Sequence, residues 1–262
     1  AGLRLLLTAL LLFAAGMKGA GVLLAFVLAN ALNAAWLWRR GAPGAWSSAT
    51  AKQFLVFGMP LAVTALLFTC LELLDRLLLL WLGADSAHIG VYDFSYKLAG
   101  LMLLLIAPLQ LLWPEFLYRR DRAVTQNMYR LYAFLLTLAW LALAALGPHL
   151  LELPRCDAYR AGGDLLPLLG AGLWLFGLYP FCAAELQRAE RTAVIAGSAL
   201  LGVLVNAAGV IFFMPAMGLR GVALATVLGY GATDVMLLCL REKSGLPRLV
   251  RLLDGRVLLA VV

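Results

Sequence analysis

Charge is what this sequence has least of. Only 13% of its 262 residues are Asp, Glu, Lys or Arg, about half of the ~25% usual in soluble domains. Histidine is down to two residues and cysteine to four. No Cys/His pair stands at metal-ligand spacing, so no metal site is expected. Of Cys70, Cys156, Cys182 and Cys239, three lie in apolar runs and one in a loop, which indicates no disulfide framework. A P-loop, an HExxH helix and a GxSxG elbow are all missing. Nothing resembles a nucleophile supported by a base, so neither an enzyme nor a cofactor is expected. An ATP-driven pump is not expected from this chain alone. There is no signal peptide with a cleavage site.

What is there is apolar. The chain is 64% hydrophobic, with a mean hydropathy of +0.93. A soluble fold of this length has no interior large enough for so much apolar surface. The composition therefore predicts an all-α, polytopic membrane protein. Its net charge of +7 does not imply nucleic acid. The basic residues cluster between hydrophobic runs, as the positive-inside rule requires.

Residues 3 to 13 are apolar but too short to span, covering only ~17 Å of helix. Ala20 to Trp38 is long enough and ends in Arg39-Arg40. A Gly/Pro/Ser-rich linker follows, from Gly41 to Thr50. Six runs come next: Phe54 to Leu82, Ile89 to Leu117, Tyr129 to Leu151, Leu165 to Leu186, Thr192 to Met214 and Gly221 to Leu240. Pro60, Pro108, Pro114 and Pro180 lie inside them, which membrane helices tolerate. A loop of mixed charge is expected from Glu152 to Asp164, and a turn from Pro215 to Arg220. Arg241 to Arg256 reads as a basic surface segment on anionic lipid. Residues 257 to 262 read as the start of a further apolar run.

If each run reverses direction, 14 basic residues fall on the side of Arg39-Arg40 and only Lys18, Arg155, Arg160 and Arg220 fall on the other. That asymmetry makes the Arg39-Arg40 side cytoplasmic. An internal repeat is also expected. Gly16-Met17-Lys18-Gly19 matches Gly218-Leu219-Arg220-Gly221 at an offset of 202, and each opens a run from the outer side. The same offset sets residues 1 to 13 against the second half of a span. The chain is therefore expected to begin mid-helix. Parallel repeats of this kind are a recognised transporter plan.

The stretch from Phe54 to Arg120 carries the puzzle. Its two apolar runs hold Glu72, Asp75 and Arg76, then Asp93 and Lys97. Intramembrane charges are costly and usually face a protein interior or a watery cavity. Glu72 and Arg76 are four apart and share a helix face, as do Asp93 and Lys97. The turn at 83 to 88 makes the two helices antiparallel. Arg76, six residues before Leu82, sits about 9 Å in, and Asp93 and Lys97 lie at a similar depth. All five charges are expected in the outer third of the membrane. Arg76 is expected to reach Asp93, and Lys97 to reach Glu72 or Asp75. Two readings stand. Arg76 and Lys97 face a cavity and attract a diphosphate or acidic sugar, or the cluster is an ion-pair lock or outer gate between helices.

Phe57-Gly58-Met59-Pro60, Leu74-Asp75-Arg76, Gly90-Val91-Tyr92, Tyr96-Lys97-Leu98-Ala99 and Trp113-Pro114 resemble the bacterial Wzx-like polysaccharide-export flippases. These belong to the multidrug/oligosaccharidyl-lipid/polysaccharide exporter superfamily. Asn206, Pro215, Gly218 and Gly221-Val222-Ala223-Leu224-Ala225-Thr226 continue the likeness. The resemblance covers about residues 53 to 240. It implies a two-lobed exporter fold around a central cavity. Residues 1–40 would end the first lobe, 41–52 would be a cytoplasmic linker, 53–240 the six-helix second lobe and 241–262 a basic cytoplasmic segment with the start of a further run. The rest of the first lobe would lie outside this sequence. Asp93 departs from the family, which carries a small or apolar residue there.

The resemblance implies a flippase of the bacterial inner membrane. It would move lipid-diphosphate-linked oligosaccharide to the outer leaflet, driven by a proton, a sodium ion or the substrate gradient. Its partners would be lipid-linked oligosaccharide, membrane lipids, a glycan polymerase and glycosyltransferases. Three rivals remain: a cation-coupled drug exporter of the same superfamily, an integral-membrane glycosyltransferase or ligase, and a scaffold for glycan enzymes. Among lesser features, Glu185 and Asp234 read as snorkelling or hydrogen-bonded acids near helix ends. Trp36, Trp38, Trp81 and Trp113 read as interfacial anchors, and Trp140 and Trp174 as core. Gly197, Gly202 and Gly209 read as close helix contacts.

Overall fold

The computed structural model describes residues 47–118, 122–151 and 157–242, plus positions 28, 29, 31, 32 and 35; side chains at 114, 116–126, 150, 157, 158, 241 and 242 are not described. The expected first-lobe tail, most of the linker, the basic surface segment, Cys156 and the first copy of the repeat lie outside these residues. Two compact units divide the chain, 1–52 and 53–262. The account below concerns the second.

Among the described residues every element is helical. They are α1 (Ser48–Trp81), α2 (Ser86–Ala99), a 3-10 turn (Gly100–Met102), α3 (Leu103–Tyr118), α4 (Arg122–Leu151), a 3-10 segment (Asp157–Leu165), α5 (Leu166–Arg188), α6 (Thr192–Met217) and α7 (Leu219–Glu242). Six stretches are long and apolar enough to cross a bilayer: Ser48–Trp81, Ser86–Trp113, Asn127–His149, Tyr159–Arg188, Thr192–Met217 and Leu219–Leu240. That is the make-up of a multi-pass integral membrane protein.

Helix ends follow backbone chemistry. α1 stops where Gly83 adopts φ 77°. Ala84 N–H then bonds Leu79 O and Gly83 N–H bonds Leu80 O, the double bond pattern that closes a helix on a left-handed residue. α5 ends the same way, with Arg191 N–H on Leu186 O and Glu190 N–H on Gln187 O. Here Glu190 takes the left-handed position at φ 57°.

Two expectations about ends are corrected. α4 ends at Leu151 as expected, passing through Pro148, but α6 runs through Pro215 to Met217, beyond the expected end at Met214. A proline near a helix end loses only one backbone bond. Its turn is made instead at Gly218, with φ 57°. The stretch expected as loop up to Asp164 is a packed 3-10 helix over residues 157–165. Tyr159 stacks on Phe94 of α2 at 4.3 Å, and Ser95 Oγ donates to Gly162 O.

α5 and α7 are the most buried of the spans, and α1 the least. α6 packs closely on α7 because small residues meet there. A Cβ on Gly209 would stand 2.8 Å from Ala225 Cβ, and one on Gly229 would stand 2.9 Å from Asn206 Cβ. Gly202 is equally enclosed, but Gly197 faces open space, so close packing does not explain that glycine. α1 differs from these helices. Its backbone stands off from its neighbours, and its attachment is a stripe of buried side chains: Thr64, Phe68, Leu71, Asp75 and Leu79. The spacing of three and four residues puts all five on one face. Four of them are apolar or hydroxyl-bearing. The fifth is a carboxylate.

Leucines fill much of the rest of the core, with a group of aromatic rings among them. Phe181 sits 4.3 Å from Trp113, 4.3 Å from Tyr129 and 5.5 Å from Tyr132. Trp113 is therefore core and not the interfacial anchor expected of it, because α3 turns it towards α5. Trp81, in contrast, is exposed at the end of α1.

Candidate functional site

The five charges do not form one cluster. Asp75 and Arg76 are adjacent in α1, so their side chains leave the helix about 100° apart. Asp75 points into the bundle and is fully buried. Arg76 points to its edge.

At the edge, Arg76 Nε lies 2.6 Å from Asp93 Oδ1, and Lys97 Nζ lies 2.6 Å from Asp93 Oδ2. One carboxylate thus holds two cations. The Arg76–Asp93 pair was expected. Lys97 takes Asp93, one turn back on its own helix, rather than Glu72 or Asp75. Glu72 and Arg76 do share a face, but Arg76 Nη1 donates to the Glu72 backbone carbonyl at 2.5 Å. The Glu72 carboxylate is half-buried beside it. Arg76 also lies over the Tyr96 ring, 5.1 Å from its centroid, a cation–π contact. Arg76 is thereby tied to three groups on two helices. Lys97 is tied to one, and its side chain is 72% exposed.

In the interior, Asp75 is met by three other helices. Tyr92 Oη of α2 donates to Oδ2 at 2.5 Å. Thr226 Oγ1 of α7 donates to the same oxygen at 2.8 Å. Asn206 Nδ2 of α6 donates to Oδ1 at 2.9 Å. Asn206 Oδ1 is buried with no hydrogen-bond partner. The hydroxyls of Tyr96 and Tyr230 are likewise buried and unpartnered. Carboxylate, amide and hydroxyl oxygens therefore converge on one buried point between α1, α2, α6 and α7. Hard cations take oxygen ligands of this kind, and a proton needs only the carboxylate. Among the described residues no group of three or more His, Cys, Asp or Glu gathers in the manner of a metal centre.

The two halves are consecutive rungs of one ladder. Asp75 bonds Tyr92, and Arg76 bonds Asp93. The inner and outer bonds between α1 and α2 are one residue apart on each helix. A shift of α2 that alters one rung must alter the other.

Reading the residues alone missed three members of the inner group. Tyr92, Asn206 and Thr226 stand in the quoted family segments but were given no role. The signal was in the stripe on α1, where Asp75 falls in register with Phe68, Leu71 and Leu79 and so had to face inward. Asp234 is also corrected. It neither snorkels nor hydrogen-bonds: it is 6% exposed, and its Oδ1 has no partner. Trp140 and Trp174 are partly buried, donating to Pro167 O at 2.9 Å and to Thr137 Oγ1 at 3.0 Å. No family model, curated protein or solved structure matches the chain.

Proposed function

We propose that residues 53–240 are the second lobe of a two-lobed flippase, and that it carries lipid-diphosphate-linked oligosaccharide from the cytoplasmic to the outer leaflet. The observation that carries this reading is the outer triad of Arg76, Asp93 and Lys97. Two cations share the Asp93 carboxylate, with the Glu72 carboxylate beside Arg76, so the edge presents an Arg and an exposed Lys together. A diphosphate crossing the bilayer needs such a partner, since no anion is stable in hydrocarbon alone. The Arg76 fork suits two phosphate oxygens, and Lys97 is a mobile point charge on an exposed stem. Asp93 competes for both cations, so the headgroup is held weakly enough to leave.

The inner group supports ion coupling. Asp75, with the Asn206 Oδ1 and the Tyr92 and Thr226 hydroxyls, would hold the coupling proton or sodium ion. Loading or emptying it would change the Asp75–Tyr92 bond, and with it the adjacent Arg76–Asp93 bond. That linkage ties the charge state of the interior to the grip on the headgroup, the kind of bistable contact a transporter needs. A drug exporter of the same superfamily would share the inner group but have no use for the outer triad.

Single variants separate the two. Arg76→Ala and Lys97→Ala are expected to abolish glycan export while each protein still reaches the membrane in normal amount. Surface polysaccharide, measured beside membrane abundance, is the readout. Full export by both variants would overturn the reading.

A further inference from the structure

A second buried acid stands apart from the site described above. Asp234 lies in α7, eight residues and about 12 Å along the helix from Thr226. It is 6% exposed, and its Oδ1 has no hydrogen-bond partner. No ion pair to it occurs among the described residues. One turn away, Leu237 joins Ala183 and Leu186 of α5 and Ile195 of α6 in an apolar cluster, with Leu61 of α1 packed on it. Within this cluster Tyr179 and Cys182 of α5 carry titratable groups. Glu185 and Arg188 flank Leu186 on the same helix, and Tyr230 lies one turn back on α7.

Thr226, Tyr230, Thr233 and Asp234 share one face of α7, and all four are buried. Across from them Asn206, Gly202 and Ser198 follow at intervals of four on α6, with Thr233 Oγ1 donating to Ser198 O. A file of polar groups therefore runs from Asp75 to Asp234 along the α6–α7 seam, where apolar side chains would pack as well.

An ionised carboxylate without a counter-ion is costly in such surroundings, and a proton removes the charge. A metal cation needs several oxygen ligands, and among the described residues no group of three or more His, Cys, Asp or Glu gathers around Asp234. We propose that Asp234 is a second proton-binding carboxyl, distinct from Asp75, which takes up a proton from water and returns it as the helices rearrange. Only its O–H bond forms and breaks. The inference goes beyond the proposed function and does not depend on which cargo is carried.

The test is infrared difference spectroscopy of the full-length protein in lipid vesicles, stepped between acid and alkaline pH. Wild type is expected to show a protonated-carboxyl C=O band that titrates. Asp234→Asn should lose it, Asp75→Asn should keep it, and Asp234→Glu should shift it. The Glu variant retains the carboxyl and guards against misfolding of the Asn variant. A wild-type spectrum without such a band, or an Asp234→Asn spectrum equal to wild type, overturns the proposal. Normal export by the Arg76 and Lys97 variants would overturn the flippase reading and leave this result standing.

Discussion

Asp75 and Arg76 are neighbours in the chain that do different work. The helical angle between them sends one carboxylate into the buried interior and one guanidinium to the edge. Tyr92→Phe tests the inner contact. It removes one of three donors to Asp75 and adds no bulk, so it should cost about 1–3 kcal/mol, the range for stripping a partner from a buried polar group. Thermal unfolding of the solubilised protein reads it, and an unchanged midpoint would show that Tyr92 does not support Asp75. The same reasoning parts Arg76 from Lys97. Arg76 bonds Asp93, the Glu72 carbonyl and the Tyr96 ring, so it binds α1 to α2 whatever else it does. Lys97 pairs only within its own helix, and such exposed pairs are worth about 0.3–0.5 kcal/mol. Loss of export in Lys97→Ala therefore bears on the cargo and not on the helices. The charges and the Arg76–Asp93 pair were legible in the residues. The choice of Asp93 by Lys97 was not, since it turns on side-chain reach rather than spacing.

At the scale of elements, glycine shows the same split between what spacing tells and what packing decides. Gly197 and Gly209 stand on one helix and look alike in the sequence. Only Gly209 is pressed against a neighbour, at Ala225. Gly209→Ala should destabilise by about 1–3 kcal/mol through overpacking. Gly197→Ala should be neutral or stabilising by about 0.4–1 kcal/mol, because it only restricts the unfolded chain. Thermal midpoints of the two variants check this, and equal shifts would contradict the seam. The six spans were legible to within a few residues, because twenty apolar residues leave few alternatives. Helix ends were less so. Pro215 looked like a stop, but a membrane helix absorbs a lost bond near its end. The 3-10 segment at 157–165 was hidden because its charge suggests a loop, while Tyr159 and Leu165 carry its packing. Trp113 misled for a related reason: its place near a run end says nothing of which face it is on.

The described residues form a helical bundle with six spans long and apolar enough to cross a membrane. Its interior is divided between an aromatic core around Phe181 and a polar seam that ends in Asp75. Membrane character and the six spans from Phe54 to Leu240 were legible from composition, because apolar length is nearly sufficient to specify a span. How the charges are shared among the helices was not, since that depends on side-chain packing. The account joins an inner carboxylate to an outer cation pair through adjacent rungs on α1 and α2, and makes that linkage the basis of moving an anionic lipid headgroup. The most direct measurement removes the protein from its cell and scores two quantities together, surface polysaccharide and lipid-linked oligosaccharide in the inner leaflet. The account predicts loss of the first and accumulation of the second. Normal surface polysaccharide with raised sensitivity to drugs would contradict it.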